Sequence, residues 1–226
     1  MRLVRVMCTG RVDPAFVLRS FLNGADSVFV GGCWPGECHY TTEGNYHALG
    51  MMHLTRRLLK HIGVNPERLR VEWVGASEGI RFAELMNDVV KKVKVLGPLG
   101  TGGETGVDAM KLKIEAVTNL LPYIKLVERE RLRVPFDTVE EYNKFFASDE
   151  VEKIFREMIV DKLAVSEIML LLREGPLSSG EISEVLGLDR SDVSRHLNNS
   201  VRQGLVRFDE KQKALLPLKV KAQARA

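Results

Sequence analysis

The sequence predicts an α/β protein: a small doubly wound parallel sheet, followed by an all-helical segment and a winged helix-turn-helix domain. Three observations support this fold class. Short apolar runs alternate with amphipathic stretches as far as about residue 97, a pattern typical of strands joined by helices. Only helical patterns follow, as far as about residue 173. Beyond it, two short helical patterns precede two apolar runs that flank a polar turn.

The first 97 residues contain three predicted strand–helix units. Apolar runs predict strands over residues 3–7, 27–30 and 69–74. Successive strands joined by helices run parallel and are connected by right-handed crossovers. A sheet of this size is unusually small, so we expect either a missing first strand–helix unit or a partner that completes the sheet.

A helix is predicted after each of these strands. Asp13 is a favoured N-cap and Pro14 a favoured first residue, so the first helix begins there. The second helix covers residues 46–61, and Ser77 opens the third. The third helix is predicted to bury one apolar face, which consists of Phe82, Leu85, Met86, Val89 and Val93.

Four parts of the chain are distinguished on this basis. Residues 1–97 are predicted to form the α/β domain. Glycine-rich residues 98–107 predict a flexible linker, and residues 108–148 a helical connector. Residues 149–226 predict a winged-helix-like domain, because helix, helix-turn-helix and hairpin follow one another in that order.

The composition is that of an ordinary globular protein, with 226 residues, 45% apolar and 28% charged. No run of uncharged apolar residues is long enough to span a bilayer, and the opening residues lack a secretory-signal pattern, so a cytoplasmic location is predicted. The net charge is +3, distributed as +4, −6 and +5 over residues 1–97, 98–188 and 189–226, which suggests modules with different partners. No nucleophile elbow, P-loop or dinucleotide fingerprint is present, so no catalytic residue is predicted.

Three cysteines are the candidate site residues. Cys8 follows the first predicted strand, and Cys33 and Cys38 follow the second. The carboxyl ends of parallel strands meet at one edge of a sheet, so we expect the three thiols to gather there. Glycines around Cys33 let the main chain approach a cluster and direct N–H groups at its sulfurs. Thiolates favour zinc or iron–sulfur centres.

Other interpretations of the cysteines stay open from the residues alone. Buried cysteines can act as small apolar side chains. Structural zinc remains an alternative, although its usual second cysteine pair is absent from this sequence. A site of four thiolates needs one ligand more than three cysteines supply. His39 could substitute for it, or the ligand could come from another chain or from a missing segment.

Several motifs within residues 3–97 agree, in order, with one family. They are Val6-Met7-Cys8-Thr9-Gly10-Arg11-Val12-Asp13-Pro14, Gly24-Ala25-Asp26, Gly31-Gly32-Cys33-x-Pro35-Gly36-x-Cys38-His39-Tyr40, Gly44-Asn45-Tyr46, Pro66-Glu67-Arg68-Leu69-Arg70 and Glu72-Trp73. In these motifs the chain resembles the iron–sulfur (delta) subunit of methyl-viologen-reducing hydrogenase.

The resemblance implies a [2Fe–2S] cluster, with Cys8, Cys33 and Cys38 as metal ligands by position. It implies an electron-transfer subunit that takes electrons from a hydrogenase or another donor protein. The electron acceptor would be a flavin-containing protein like the A subunit of heterodisulfide reductase, in complexes of that type. Members of the family usually begin with a further, cysteine-bearing strand and helix. We therefore expect the fourth ligand from another chain or a missing segment, or else loss of the cluster.

The winged-helix-like region supports an alternative hypothesis, a redox-sensing DNA-binding regulator. Polar residues that suit contacts with phosphates and base edges are predicted on the exposed side of its second helix. They are Arg190, Ser191, Ser194, Arg195 and Asn199, and the basic residues Lys219, Lys221 and Arg225 follow. Winged helices also dock proteins, so the fold alone does not decide the function. Electron transfer is preferred, because the cysteine-domain motifs are more specific than these residue types.

Overall fold

The computed structural model describes residues 1–40, 43–101, 104, 106–209 and 214–217. The chain divides into two compact units, Met1–Arg156 and Glu157–Ala226. The finer boundaries at residues 97, 107 and 148 stay a prediction. None of the helices in the described ranges is both long and apolar enough to cross a membrane.

The first unit holds a parallel two-stranded sheet, β1 (Val28–Gly32) and β2 (Leu69–Trp73). Its helices are α1 (Pro14–Leu22), α2 (Asn45–His61), α3 (Gly79–Leu96), α4 (Val107–Val127), α5 (Val139–Phe146) and α6 (Asp149–Ile154). Short 3-10 turns cover Thr9–Arg11 and Pro66–Arg68, and a π-helical turn, Glu128–Leu132, follows α4.

Strands and helices alternate in the first unit as the sequence predicts, so the α/β class is confirmed. Asp13 caps α1 as expected, because its carboxylate accepts the Ala15 N–H at 2.9 Å. α1 packs against α4, and α2 packs against α5. The largest side chains of the resulting core are fully buried and include Leu18, Phe21, Met52, Leu54, Leu58, Leu69, Ile114 and Ile124.

The predicted strand over residues 3–7 is wrong. These residues form no strand, and Leu3, Val4 and Met7 are 81%, 81% and 97% exposed. A strand requires a neighbour that accepts and donates its main-chain hydrogen bonds. Within the described part of the chain, β1 has only β2 as its hydrogen-bonded neighbour.

The predicted burial of the third helix is also wrong. α3 begins at Gly79, and none of its residues is buried, including the predicted face at Phe82, Leu85, Met86, Val89 and Val93. An 18-residue helix is about 27 Å long, whereas two strands form a surface only about 10 Å wide. The sheet therefore supports α3 at few points, such as the edge-to-face contact of Phe82 with Phe29 at 6.3 Å.

Arg68 is almost fully buried, with 1% of its surface exposed. Its guanidinium forms two hydrogen bonds with the Glu104 carboxylate, at 2.8 and 2.9 Å. It also donates to the carbonyl of Asp26 and to the carbonyls of residues 96–98, which end α3 and begin the predicted linker. Burial raises the pKa of Glu104, but hydrogen bonds from Arg68 and from the main-chain N–H groups of Asn65 and Gly100 together hold it below its ordinary value. Residues 102, 103 and 105 of the predicted linker lie outside the described ranges.

The second unit contains α7 (Asp161–Glu174), α8 (Ser179–Leu186) and α9 (Arg190–Arg202), and an antiparallel pair, β3 (Val206–Asp209) and β4 (Ala214–Pro217). Ser178 and Glu181 form a capping box at the start of α8. Gly187 then ends α8 in the left-handed conformation, with φ of 67°. The elements follow in the predicted winged-helix order. The hairpin turn over residues 210–213 and the basic residues Lys219, Lys221 and Arg225 lie outside the described ranges.

Candidate metal centre

The structure brings the three predicted cysteines together. Cys8 immediately precedes the Thr9–Arg11 turn, Cys33 follows the last residue of β1, and Cys38 lies five residues further along. All three are half-buried free thiols. The Cys38 thiol is hydrogen-bonded to the thiols of Cys33 and Cys8. Cys8 also lies close enough to Cys33 to raise the pKa of the Cys33 thiol electrostatically.

Two of the thiols differ in acidity. Burial raises the pKa of the Cys33 thiol to about 11, and its hydrogen bond with Cys38 adds to this effect. Burial also raises the pKa of Cys38, but the main-chain N–H groups of Asn45 and Tyr40 donate to its sulfur and bring the pKa below its ordinary value. Cys38 is therefore the more acidic member of the pair.

The arrangement of these groups is not that of a finished metal site. Among the described residues, no three Cys, His, Asp or Glu side chains adopt a metal-binding arrangement. His39, the nearest histidine in sequence, is exposed, and its ring contacts Tyr40 at 5.2 Å. The thiols therefore lie in hydrogen-bonding contact with one another, and their role as ligands remains a proposal.

Asn45, the first residue of α2, holds the cysteine loop, which is the segment from Cys33 to Cys38. Asn45 is not among the site residues that the sequence predicts. Its Nδ2 donates to the carbonyls of Cys33 and Trp34, at 3.1 and 2.9 Å. The same nitrogen lies 4.0 Å from the Cys33 Sγ. The sequence carries one signal of this role, the Gly44-Asn45-Tyr46 motif that follows the second cysteine.

Gly44 lets α2 approach Cys38. A Cβ at this position would lie closer than 3.0 Å to both the Cys38 Sγ and the Tyr40 carbonyl oxygen, a separation that real Cβ atoms essentially never show. The main chain of α2 can therefore direct its first N–H at the Cys38 sulfur only because residue 44 lacks a side chain.

Trp34 anchors the other side of the loop to the start of α3. Its Nε1 donates to the Glu78 carboxylate at 2.6 Å, and the Arg81 guanidinium lies 4.8 Å from the centre of its ring. Glu78 also accepts the Gly75 N–H. The hydrogen bonds from Gly75 and Trp34 hold the pKa of Glu78 below its ordinary value. The starts of two helices thus fix the loop that carries Cys33.

A cavity of about 620 Å³ opens beside Cys38 and is lined by α2 and by the segment after α4. In its wall, the His47 Nδ1 lies 3.8 Å from a carboxylate oxygen of the buried Glu128. Burial raises the pKa of Glu128 and lowers that of His47, because it disfavours the charged form of each group. Aromatic residues complete the wall, with Tyr46 and Tyr142 stacked at 5.4 Å.

In the second unit, the polar residues predicted on the outer side of the helix-turn-helix are exposed. They are Arg190, Ser191, Ser194, Arg195 and Asn199 of α9. Arg195 is ion-paired with Asp161 and Asp192, at 3.3 and 3.1 Å, so part of the positive charge of this helix is already neutralised.

Comparison with family models gives one match in each unit. The model described as "Methyl-viologen-reducing hydrogenase, delta subunit" matches residues 1–97. The model described as "Bacterial regulatory protein, arsR family" matches residues 164–207. The first match covers all three cysteines, and the second covers most of the winged-helix elements.

Similar proteins include the iron-sulfur subunit of the F420-non-reducing hydrogenase of Archaeoglobus profundus, 49% identical over 98 residues, or 43% of this chain and 71% of that protein. The vhc iron-sulfur subunit of the same kind of hydrogenase from Methanococcus voltae is 44% identical over 106 residues, 47% of this chain and 73% of its own. The A subunit of a CoB-CoM heterodisulfide reductase of Methanosarcina acetivorans is 44% identical over 101 residues, which make up 45% of this chain but 13% of that protein. The motifs around the three cysteines, the α/β unit that carries them and these similarities agree: the chain belongs to the family of the delta subunit of methyl-viologen-reducing hydrogenase.

Proposed function

We propose that the chain is the electron-transfer iron–sulfur subunit of an oxidoreductase complex of the hydrogenase or heterodisulfide reductase type. The observation that carries this proposal is the mutual contact of Cys8, Cys33 and Cys38 at the carboxyl end of β1. Similar proteins are named as iron-sulfur subunits of hydrogenases and as the A subunit of heterodisulfide reductase, which supports the same class of complex.

The group held at these cysteines would be a [2Fe–2S] cluster, which supplies one-electron transfer. The donor chemistry fits, because soft thiolates are the usual ligands of iron–sulfur clusters and main-chain N–H groups already point at the Cys38 sulfur. Cys8, Cys33 and Cys38 would supply three ligands, and another chain or a missing segment would supply the fourth. The loop residues then position the ligands, and the chain itself carries out no bond chemistry.

The electron donor would be a hydrogenase or another donor protein, and the acceptor a flavin-containing protein like the A subunit of heterodisulfide reductase. The relative that is named as such a subunit supports this pairing, because it contains a stretch like this α/β unit within a much longer chain. A domain that is fused to one protein in a relative is a reasonable partner of the same protein when the two are separate.

Replacing Cys33 by serine tests the proposal. We expect the variant Cys33→Ser to abolish the [2Fe–2S] electron paramagnetic resonance signal of the assembled complex, because a serine hydroxyl is far less acidic than a thiol and is a poorer ligand for the iron of such clusters. The circular dichroism and thermal unfolding of the second unit should be unchanged. Ser194→Ala on α9 is the matched control, since Ser194 is exposed and lies in the other unit. Retention of the full signal by Cys33→Ser would remove Cys33 from the ligand set.

A second candidate function, DNA binding by the winged-helix unit, is favoured by the match to the arsR family model and by the exposed polar face of α9. In that case the full chain binds duplex DNA in a salt-dependent and sequence-selective manner. Arg190→Ala should then weaken binding and reduce the salt slope by about 1. Absence of duplex binding at low salt would exclude this candidate and leave electron transfer unaffected.

A further inference from the structure

Asn45 touches both halves of the cysteine loop. It is 1% exposed, and its single carboxamide nitrogen bonds the carbonyls of Cys33 and Trp34. Its main-chain N–H donates to the Cys38 sulfur. One buried residue at the start of α2 therefore ties down the main chain at one cysteine and the sulfur of the next.

The contacts of Asn45 are unusual for its place in the helix. An asparagine near a helix N-terminus ordinarily caps that helix with its own side-chain oxygen. Here the cap position is Gly44, with no side-chain cap, and the Asn45 side chain instead reaches a loop 11 and 12 residues earlier. Its Oδ1 is buried and has no hydrogen-bond partner among the residues that the structure describes. A buried acceptor without a partner costs free energy. The Asn45 side chain therefore bonds the loop through its Nδ2, although this position leaves its Oδ1 without a hydrogen bond.

We infer that Asn45 is a positioning residue, which holds the main chain at Cys33 and the sulfur of Cys38 next to each other and supplies N–H groups close to both sulfurs. This inference rests on the proposed function. Hydrogen bonds and dipoles directed at ligand sulfurs stabilise the reduced cluster, because reduction adds negative charge to it. Asn45 contributes its main-chain N–H to Cys38 and places its Nδ2 4.0 Å from the Cys33 Sγ. One residue therefore affects both the retention and the reduction potential of the cluster.

Two variants of the full chain test the role of Asn45, each measured in the assembled complex, where the fourth cluster ligand is present. Asn45→Ala removes the bonds to the Cys33 and Trp34 carbonyls, and we expect iron affinity to fall by about 10-fold. The midpoint potential, measured by redox titration of the electron paramagnetic resonance signal, should shift to more negative values. Asn45→Asp keeps the shape of the side chain but places a carboxylate against the two carbonyl oxygens. Its midpoint potential should therefore shift further in the negative direction than that of Asn45→Ala. Asn87→Ala, at an exposed position of α3, is the control and should match the wild type.

A measurement on the metal-free chain separates positioning from cluster assembly. We expect iodoacetamide to alkylate Cys33 faster in Asn45→Ala than in the wild type, because the main chain at Cys33 and Trp34 is no longer bonded to α2, while Cys8 reacts at an unchanged rate. Unchanged potential, iron affinity and alkylation in both variants would overturn the inference. If the wild-type chain holds no cluster in the assembled complex, the proposed function fails by itself, and the alkylation rates alone decide whether Asn45 positions the loop.

Discussion

Arg68→Ala is expected to destabilise the Met1–Arg156 unit by about 3–5 kcal/mol, because removing one partner of a buried ion pair leaves the other charge without compensation. The Glu104 carboxylate would lose both guanidinium bonds. The carbonyls of Asp26 and of residues 96–98 would lose their donors at the same time. Urea unfolding followed by circular dichroism measures the loss.

The controls for Arg68→Ala use neighbouring charges of the same unit. Arg70→Ala removes an arginine that is partly exposed and paired with Glu72 and Asp88, so it should cost less than about 1 kcal/mol. Glu104→Gln, combined with Arg68→Met, should recover part of the stability, since it removes both buried charges together. A loss for Arg68→Ala no greater than that for Arg70→Ala would show that the buried pair does not hold this part of the fold.

Gly44→Ala is expected to displace Cys38 and to prevent the chain from retaining a cluster. The added methyl group would overlap the Cys38 sulfur and the Tyr40 carbonyl oxygen, so the loop or the start of α2 must move. Overpacking of this kind costs about 1–3 kcal/mol, which adds a measurable decrease in thermal stability. The iron and sulfide content of the assembled complex, together with thermal unfolding of the chain, checks both effects.

Gly79→Ala is the matched control for Gly44→Ala. Gly79 is the first residue of α3, and a Cβ built there meets nothing within 4 Å. The same chemical change should therefore leave iron content unchanged. Full iron content in Gly44→Ala would contradict the close approach of α2 to Cys38.

The apolar run before Cys33 correctly predicts that this cysteine follows a strand, whereas Cys8 lies near it without a strand before it. Cys33 follows β1, as its position after the apolar run indicates, and the capping box at Ser178 opens α8. The strand over residues 3–7 and the buried face of α3 fail for one reason. Apolar periodicity describes the segment itself, whereas burial depends on a neighbouring surface that periodicity does not describe.

Asn45 and Arg68 could not be assigned roles from local pattern. The hydrogen-bond partners of Arg68 lie 28 to 42 residues away in sequence. The Asn45 side chain bonds an earlier loop and does not cap its own helix. Both are polar residues that the fold buries, and polar residues give no signal of burial in a single sequence. Their partners emerge only when the chain is folded.

The two ends of α3 are held independently of its apolar side. At the start of α3, the Glu78 carboxylate accepts hydrogen bonds from Trp34 and from the Gly75 N–H. At its end, the Arg68 guanidinium donates to the carbonyls of residues 96–98. A segment fixed at both ends loses its backbone freedom during folding of the unit. The uncovered apolar side of α3 is therefore already immobilised, and its order does not depend on a second surface to cover it.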